Sequence, residues 1–291
     1  MPYDPAVVGV GIARPVVKQE FGWPPLRRLR GWPMVALVLV VILLPPLLSA
    51  AVHGHLFGIH VVLSPFLAIQ SGLWKRALEC AAALGFCWLA GLRVQGRANW
   101  NAWLLFLLSI VGVVLLGSMV SLQTARPMAV STIVTVAFGA LLVGIFEETV
   151  FRGIILNSLA ERHGIVLAVF GSSATFGLIH LSNLLVGESG AQAAFQVTWA
   201  FLAGITLAWT YLFSGRNLIL VILCHAVYDF SLILASGMVH PAQAVMGIAF
   251  LIGIPLQLAA VITLTIAGVR RSARFTPYKS AAPEESLLTA G

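Results

Sequence analysis

The sequence predicts an all-α membrane protein, a polytopic bundle of about eight transmembrane helices, on three observations. Of 291 residues, 59% are hydrophobic and 9% charged, and the mean hydropathy is +0.98. Soluble domains carry about a quarter charged residues, so a chain this poor in charge cannot cover a surface facing water. Apolar runs of about 20 residues, enough to cross a ~30 Å hydrocarbon layer at ~1.5 Å per residue, recur along the chain. The basic residues lie mostly in the tails and in the short stretches between these runs.

The elements are expected in the following order. Residues 1–33 form a basic tail containing Arg14, Lys18, Arg27, Arg28 and Arg30. A first span is expected near 34–52. Roughly thirty residues precede it and Pro45-Pro46 interrupt it, so it reads as a retained helix rather than a cleavable signal. The stretch 54–72 is apolar but contains His55, His60, Pro65 and Gly72, and is read as non-spanning. Further spans are expected near 74–92, 101–122, 129–156, 165–182, 193–213, 217–236 and 243–268. Residues 34–128 are thus N-terminal membrane helices, 129–236 a core, and 237–268 a last membrane helix. A tail over 269–291 runs from basic Arg270, Arg271 and Arg274 to acidic Glu284 and Glu285.

Charge decides the number of spans. With eight spans and both termini cytoplasmic, the inner side collects the N-terminal basic residues, Arg93, Arg97, Arg152, Arg162, Arg216, Arg270, Arg271, Arg274 and Lys279. Lys75, Arg76 and Arg126 are left outside, of 17 Lys and Arg in all. A ninth span would move the C-terminal cluster outside and divide the positive charge almost evenly. The net charge of +7 and pI near 9.9 are spread over tails and loops, which suits contact with an anionic lipid leaflet better than nucleic-acid binding. Cys80, Cys87 and Cys224 all lie in apolar runs and read as small core residues, without a disulfide framework or a thiolate zinc site.

Charged side chains at bilayer depth cost at least about 2.5–3.5 kcal/mol each on insertion scales, so each one is a functional candidate. The span near 129–156 contains Glu147, Glu148 and Arg152; that near 165–182 carries His180, four residues after Phe176; that near 217–236 carries His225 and Asp229. Residues four apart share a helix face, so Glu148 can pair with Arg152 and Asp229 can accept from His225. Glu147 points about 100° away from Glu148. A packing cluster would explain some of these residues, but it does not require two histidines and three carboxylates in three spans. The set has the makings of a general base with oxyanion partners, or of a metal site.

Glu147-Glu148-x-x-x-Arg152, Phe176-x-x-x-His180 and His225-x-x-x-Asp229, in this order on successive membrane helices, resemble the three-motif signature of the CPBP family. These are the CAAX proteases and bacteriocin-processing enzymes, also called Abi or type II CAAX prenyl endopeptidases. The likeness covers roughly 130–236. It implies a CAAX-protease-like fold of eight helices and an intramembrane endopeptidase that cuts a membrane-anchored protein or peptide. Members that cleave prenylated proteins carry Asn in the third motif where this chain has Asp229, which donates to an oxyanion only when protonated.

Such enzymes are described both as metalloproteases and as metal-independent glutamate proteases. Glu147 is assigned as general base, Glu148 as the partner of Arg152, His180 as a holder of the attacking water, and His225 with Asp229 as oxyanion partners. In a zinc version His180 and His225 supply the nitrogens and Glu147 or Asp229 completes the site; the metal-independent version is preferred. No His-Glu-x-x-His occurs, and Asp4 and Asp229 are the only aspartates, which removes the zinc-helix and aspartyl arrangements. Gly187-Glu188-Ser189-Gly190 has the look of a serine-protease motif but reads as turn residues. The rival readings are an ion-coupled transporter, which would call for broken helices and an inverted repeat, and a non-proteolytic scaffold or immunity protein of the same fold.

Overall fold

The computed structural model describes residues 29–52, 65–89, 129–186, 188–237 and 243–275. The expected span over 101–122, residues 1–28 and 276–291 of the tails, and His53, His55, His60 and His240 lie outside the described residues. The elements are α1 (Trp32–Val52), α2 (Pro65–Leu89), α3 (Val130–Glu148), a π-helix (Thr149–Leu156), α4 (Asn157–His163), α5 (Ile165–Ile179), a 3-10 turn (His180–Val186), α6 (Gly190–Phe213), α7 (Leu218–Gly237), α8 (Gln243–Arg270) and a short 3-10 turn (Ser272–Arg274). No strand occurs among the described residues. Val130–His163, Ile165–Leu185 and Gly190–Phe213 are each long and apolar enough to cross a bilayer.

Several boundaries differ from the sequence reading. α2 begins at Pro65 and continues through Gly72 to Leu89, so 65–72 belongs with the following helix and is not part of a separate stretch. Proline suits a first helical position, where its missing N–H would have no partner, and a mid-helix glycine costs only about 1 kcal/mol. The helical run expected over 129–156 extends to His163. His180 lies within the bilayer-length run Ile165–Leu185, where it follows the last residue of α5 and opens the 3-10 turn.

Contacts fix the helix directions. Cys80 donates its thiol to the Leu142 carbonyl at 2.9 Å, and Cys87 Sγ lies beside Gly153, so α2 runs parallel to α3 and the π-helix. The start of α1 meets the end of α4, where Gly31 donates to Ser158, so α1 runs the opposite way. α7 is antiparallel to α3, with Val136 against Ile233 and Gly144 against Ile222. One end of the bundle consequently gathers Arg30, Arg162, Arg216 and Arg271.

The core centres on the π-helix, whose eight residues are all buried, packed with Phe176, Trp209, Leu212 and Val221. Large apolar side chains stand outward in stripes: Val130, Val134 and Phe138 recur every four residues on α3, as do Leu258, Ile262 and Ile266 on α8. Exposed stripes of this kind on long apolar helices are what a lipid solvent accommodates and water does not.

Candidate active site

Glu147 and Glu148 end α3, at the point where the backbone widens into π geometry. A π segment of eight residues is uncommon, and such segments recur at functional sites. Asn157 holds its far end. The Asn157 amide nitrogen lies 3.0 Å from the Arg152 carbonyl, 2.9 Å from the Gly153 carbonyl and 2.9 Å from the Tyr211 hydroxyl. Its Oδ1 accepts from Arg216 Nη1 at 2.8 Å. Arg216 is placed for this by the α6–α7 turn, where Gly215 and Arg216 both have positive φ, 74° and 65°.

The two glutamates turn to opposite edges of one imidazole. Glu148 is fully buried, and its Oε1 accepts from Arg152 Nη1 and from His225 Nδ1, each at 2.7 Å. His225 Nε2 lies 3.4 Å from Glu147 Oε2 and 3.5 Å from Asp229 Oδ2. Arg152, also fully buried, donates its Nη2 to the Gly204 carbonyl at 3.0 Å, and its guanidinium carbon stands 4.8 Å from the Phe176 ring centre. Phe176 meets the His180 and His225 rings edge-on, at 5.2 and 5.8 Å between centroids. His180 Nδ1 lies 2.8 Å from the Phe176 carbonyl. A carbonyl can only accept, so Nδ1 carries the proton and Nε2 of His180 has the lone pair.

This arrangement keeps both pairings of the sequence reading and adds a third. Glu148 pairs with Arg152 and also accepts from His225, whose Nε2 still faces Asp229 Oδ2 at 3.5 Å. The cause is a close helix crossing. A Cβ on Gly144 would lie 2.9 Å from the Ile222 carbonyl, so glycine lets α7 approach α3 until His225 reaches both glutamates. Gly204 does the same for α6 against Ser173, bringing its carbonyl to Arg152.

Among the described residues no three His, Cys, Asp or Glu side chains converge as the ligands of a metal ion would. Both nitrogens of His225 face carboxylates, and His180 Nδ1 is committed to a carbonyl. As arranged, the donor set does not fit a metal centre. Ser189 has a structural role: it caps α6, accepting from the Gln192 N–H at 3.3 Å while the Gln192 side chain accepts the Ser189 N–H at 3.2 Å. The reciprocal pair is a capping box, which accounts for the serine without a nucleophilic function.

Asn157, Tyr211 and the Glu148–His225 bond were not singled out from the sequence. An uncharged polar residue at the end of an apolar run was the available signal for Asn157. Comparison with curated proteins and with solved structures gives no match. A family model described as type II CAAX prenyl endopeptidase Rce1-like matches residues 129–231, a stretch that contains all six clustered side chains. Over about a third of its length, residues 129–231, the chain is thus similar to the CAAX proteases of the Rce1-like type II prenyl endopeptidase kind.

Proposed function

We propose that the protein is a multi-pass intramembrane endopeptidase that hydrolyses membrane-anchored proteins or peptides with a water activated by Glu147. The observation that carries this reading is the division of His225 between two functions. Its Nδ1–H is held by buried Glu148, while Nε2 faces Glu147 and Asp229 at 3.4 and 3.5 Å. Gaps of that length between polar atoms suit an intervening water or a substrate oxygen.

The residues divide the reaction as follows. A water bound between Glu147 and the lone pair of His180 Nε2 loses a proton to Glu147, and its oxygen attacks the scissile carbonyl carbon. A proton held at His225 Nε2, beside Asp229, meets the oxyanion that forms. Collapse of the tetrahedral intermediate breaks the C–N bond, and Glu147 returns the proton to the departing amine. Glu148 and Arg152 position His225 and do not touch substrate. Their burial is costly, and a cost of that kind is consistent with a geometry held for chemistry.

The bundle direction supports the topology read from charge. Arg30, Arg162, Arg216 and Arg271 share one end, as expected if that end is cytoplasmic and both tails lie on its side. The test is cleavage of a prenylated CAAX-type peptide by the purified full chain in liposomes, with and without a chelator. Cleavage that survives chelation is expected; no cleavage of this or any other membrane-anchored peptide would overturn the reading.

A further inference from the structure

Away from the reacting cluster, a cavity of about 290 Å³ opens at the positive end of the bundle, lined by Leu29, Arg30, Trp32, Pro33, Arg162 and His163. Two segments distant in sequence build it. The turn before α1 lies on the last turn of α4, with the Gly31 N–H donating to Ser158 Oγ at 2.7 Å. Gly31 has φ 73°, and a Cβ there would meet His163 Nε2 at 2.9 Å, so both conformation and space require glycine. Arg30 Nε pairs with Glu161 Oε2 at 2.7 Å, both side chains being largely buried, and this pair pins the turn in place.

Because Arg30 and Glu161 neutralise each other, the charge offered by the cavity is that of Arg162. That side chain is exposed and makes no ion pair or hydrogen bond among the described residues. Trp32, about half exposed, stands with its ring centre 6.1 Å from that of His163. An arginine fork, an imidazole and an indole at one opening are suited to a phosphate: the fork matches two of its oxygens, and the indole suits the headgroup layer. Depth agrees. Val130–His163 is 34 residues, about 50 Å at ~1.5 Å each, which exceeds the ~30 Å hydrocarbon layer and carries its last turn into the headgroups. The cavity lies roughly 20 Å along the helix from Glu147, too far to contact a bond being cleaved there.

We propose that this cavity binds a phosphate group, carried by the headgroup of an anionic phospholipid, and thereby fixes the start of α1 and the end of α4 in the membrane surface. Basic pockets between membrane helices bind such headgroups elsewhere. The inference is independent of the peptidase reading, and its test uses binding alone.

The experiment is titration of the purified full chain, in nonionic detergent, with dioctanoyl phosphatidylglycerol, dioctanoyl phosphatidylcholine and inorganic phosphate, followed by native mass spectrometry. Wild type is compared with Arg162→Gln/His163→Gln and with Arg162→Lys. Both positions are exposed, so unchanged thermal unfolding is expected to show that each variant is folded. Phosphatidylglycerol is expected to bind wild type at least about tenfold more tightly than the double variant, as loss of a charge-assisted hydrogen bond would cause. Arg162→Lys should fall between them, because it keeps the charge and loses the fork. Equal binding by wild type and double variant, or equal binding of phosphatidylcholine and phosphatidylglycerol, would overturn the site. Inorganic phosphate binding as tightly as the lipid would overturn the lipid as its source.

Discussion

Replacing Glu148 with glutamine keeps the side chain's shape and removes its charge, at the point where the structure concentrates its buried electrostatics. One oxygen now serves two donors at 2.7 Å, Arg152 and His225. An amide oxygen can still accept, but the new NH2 cannot, and Arg152 is left with the Gly204 carbonyl and the face of Phe176, neither of which is a counter-charge. Breaking a buried pair from one side costs about 3–5 kcal/mol, and the two surviving partners favour the lower end, about 3 kcal/mol. For a chain of this size each kcal/mol moves the midpoint about 2–4 °C, so Glu148→Gln should unfold roughly 6–12 °C lower. Buried Cys80, Cys87 and Cys224 supply the assay, since a thiol-reactive dye labels them as the bundle opens. Adding Arg152→Met removes the stranded cation, and the double variant should recover about 1–3 kcal/mol relative to the sum of the single losses. A midpoint within about 2 °C of wild type for Glu148→Gln, or strict additivity in the cycle, would refute the ion-pair reasoning.

Three further outcomes follow from the same geometry. Asp229→Asn should retain or raise activity without bound zinc, because the amide supplies an N–H to the oxyanion; joint loss of activity and zinc in one preparation would show a metal-dependent site instead. Gly204→Val should destabilise by about 1–3 kcal/mol, since even a Cβ lies 3.0 Å from Ser173, and displacement of the Gly204 carbonyl from Arg152 should be read in the same unfolding assay. A reporter fused after residue 291 should respond from the cytoplasmic side, and a response confined to the outside would reverse the topology.

The helical class and the identity of the six clustered residues were legible because a bilayer makes charge rare, so that every Glu, His, Arg and Asp in an apolar run stands out. Positions four apart also gave Glu148 and Arg152 their pairing. The bond from His225 to Glu148 was not legible. It depends on where α7 crosses α3, and that crossing is set by the space over Gly144, which no periodicity within one helix reports. The π-helix was hidden for a related reason: Thr149–Leu156 is an ordinary apolar run in composition, and part of its support comes from Asn157 and from Arg216, fifty-nine positions further along. The start of α2 was misplaced because Pro65 was weighed as a breaker, when at a first helical position it is well tolerated.

The central claim is that Glu147, facing Nε2 of His225, takes the proton from the attacking water. Its most direct test is the rate of cleavage of a membrane-anchored peptide by Glu147→Gln beside wild type, in the same liposomes, with the unfolding midpoint measured on both. Glutamine keeps the shape but cannot take the proton, and loss of a general base costs about 10²–10⁴ in rate. A loss of that size with an unchanged midpoint is expected; cleavage at the wild-type rate by folded Glu147→Gln would contradict the assignment of Glu147 as the base.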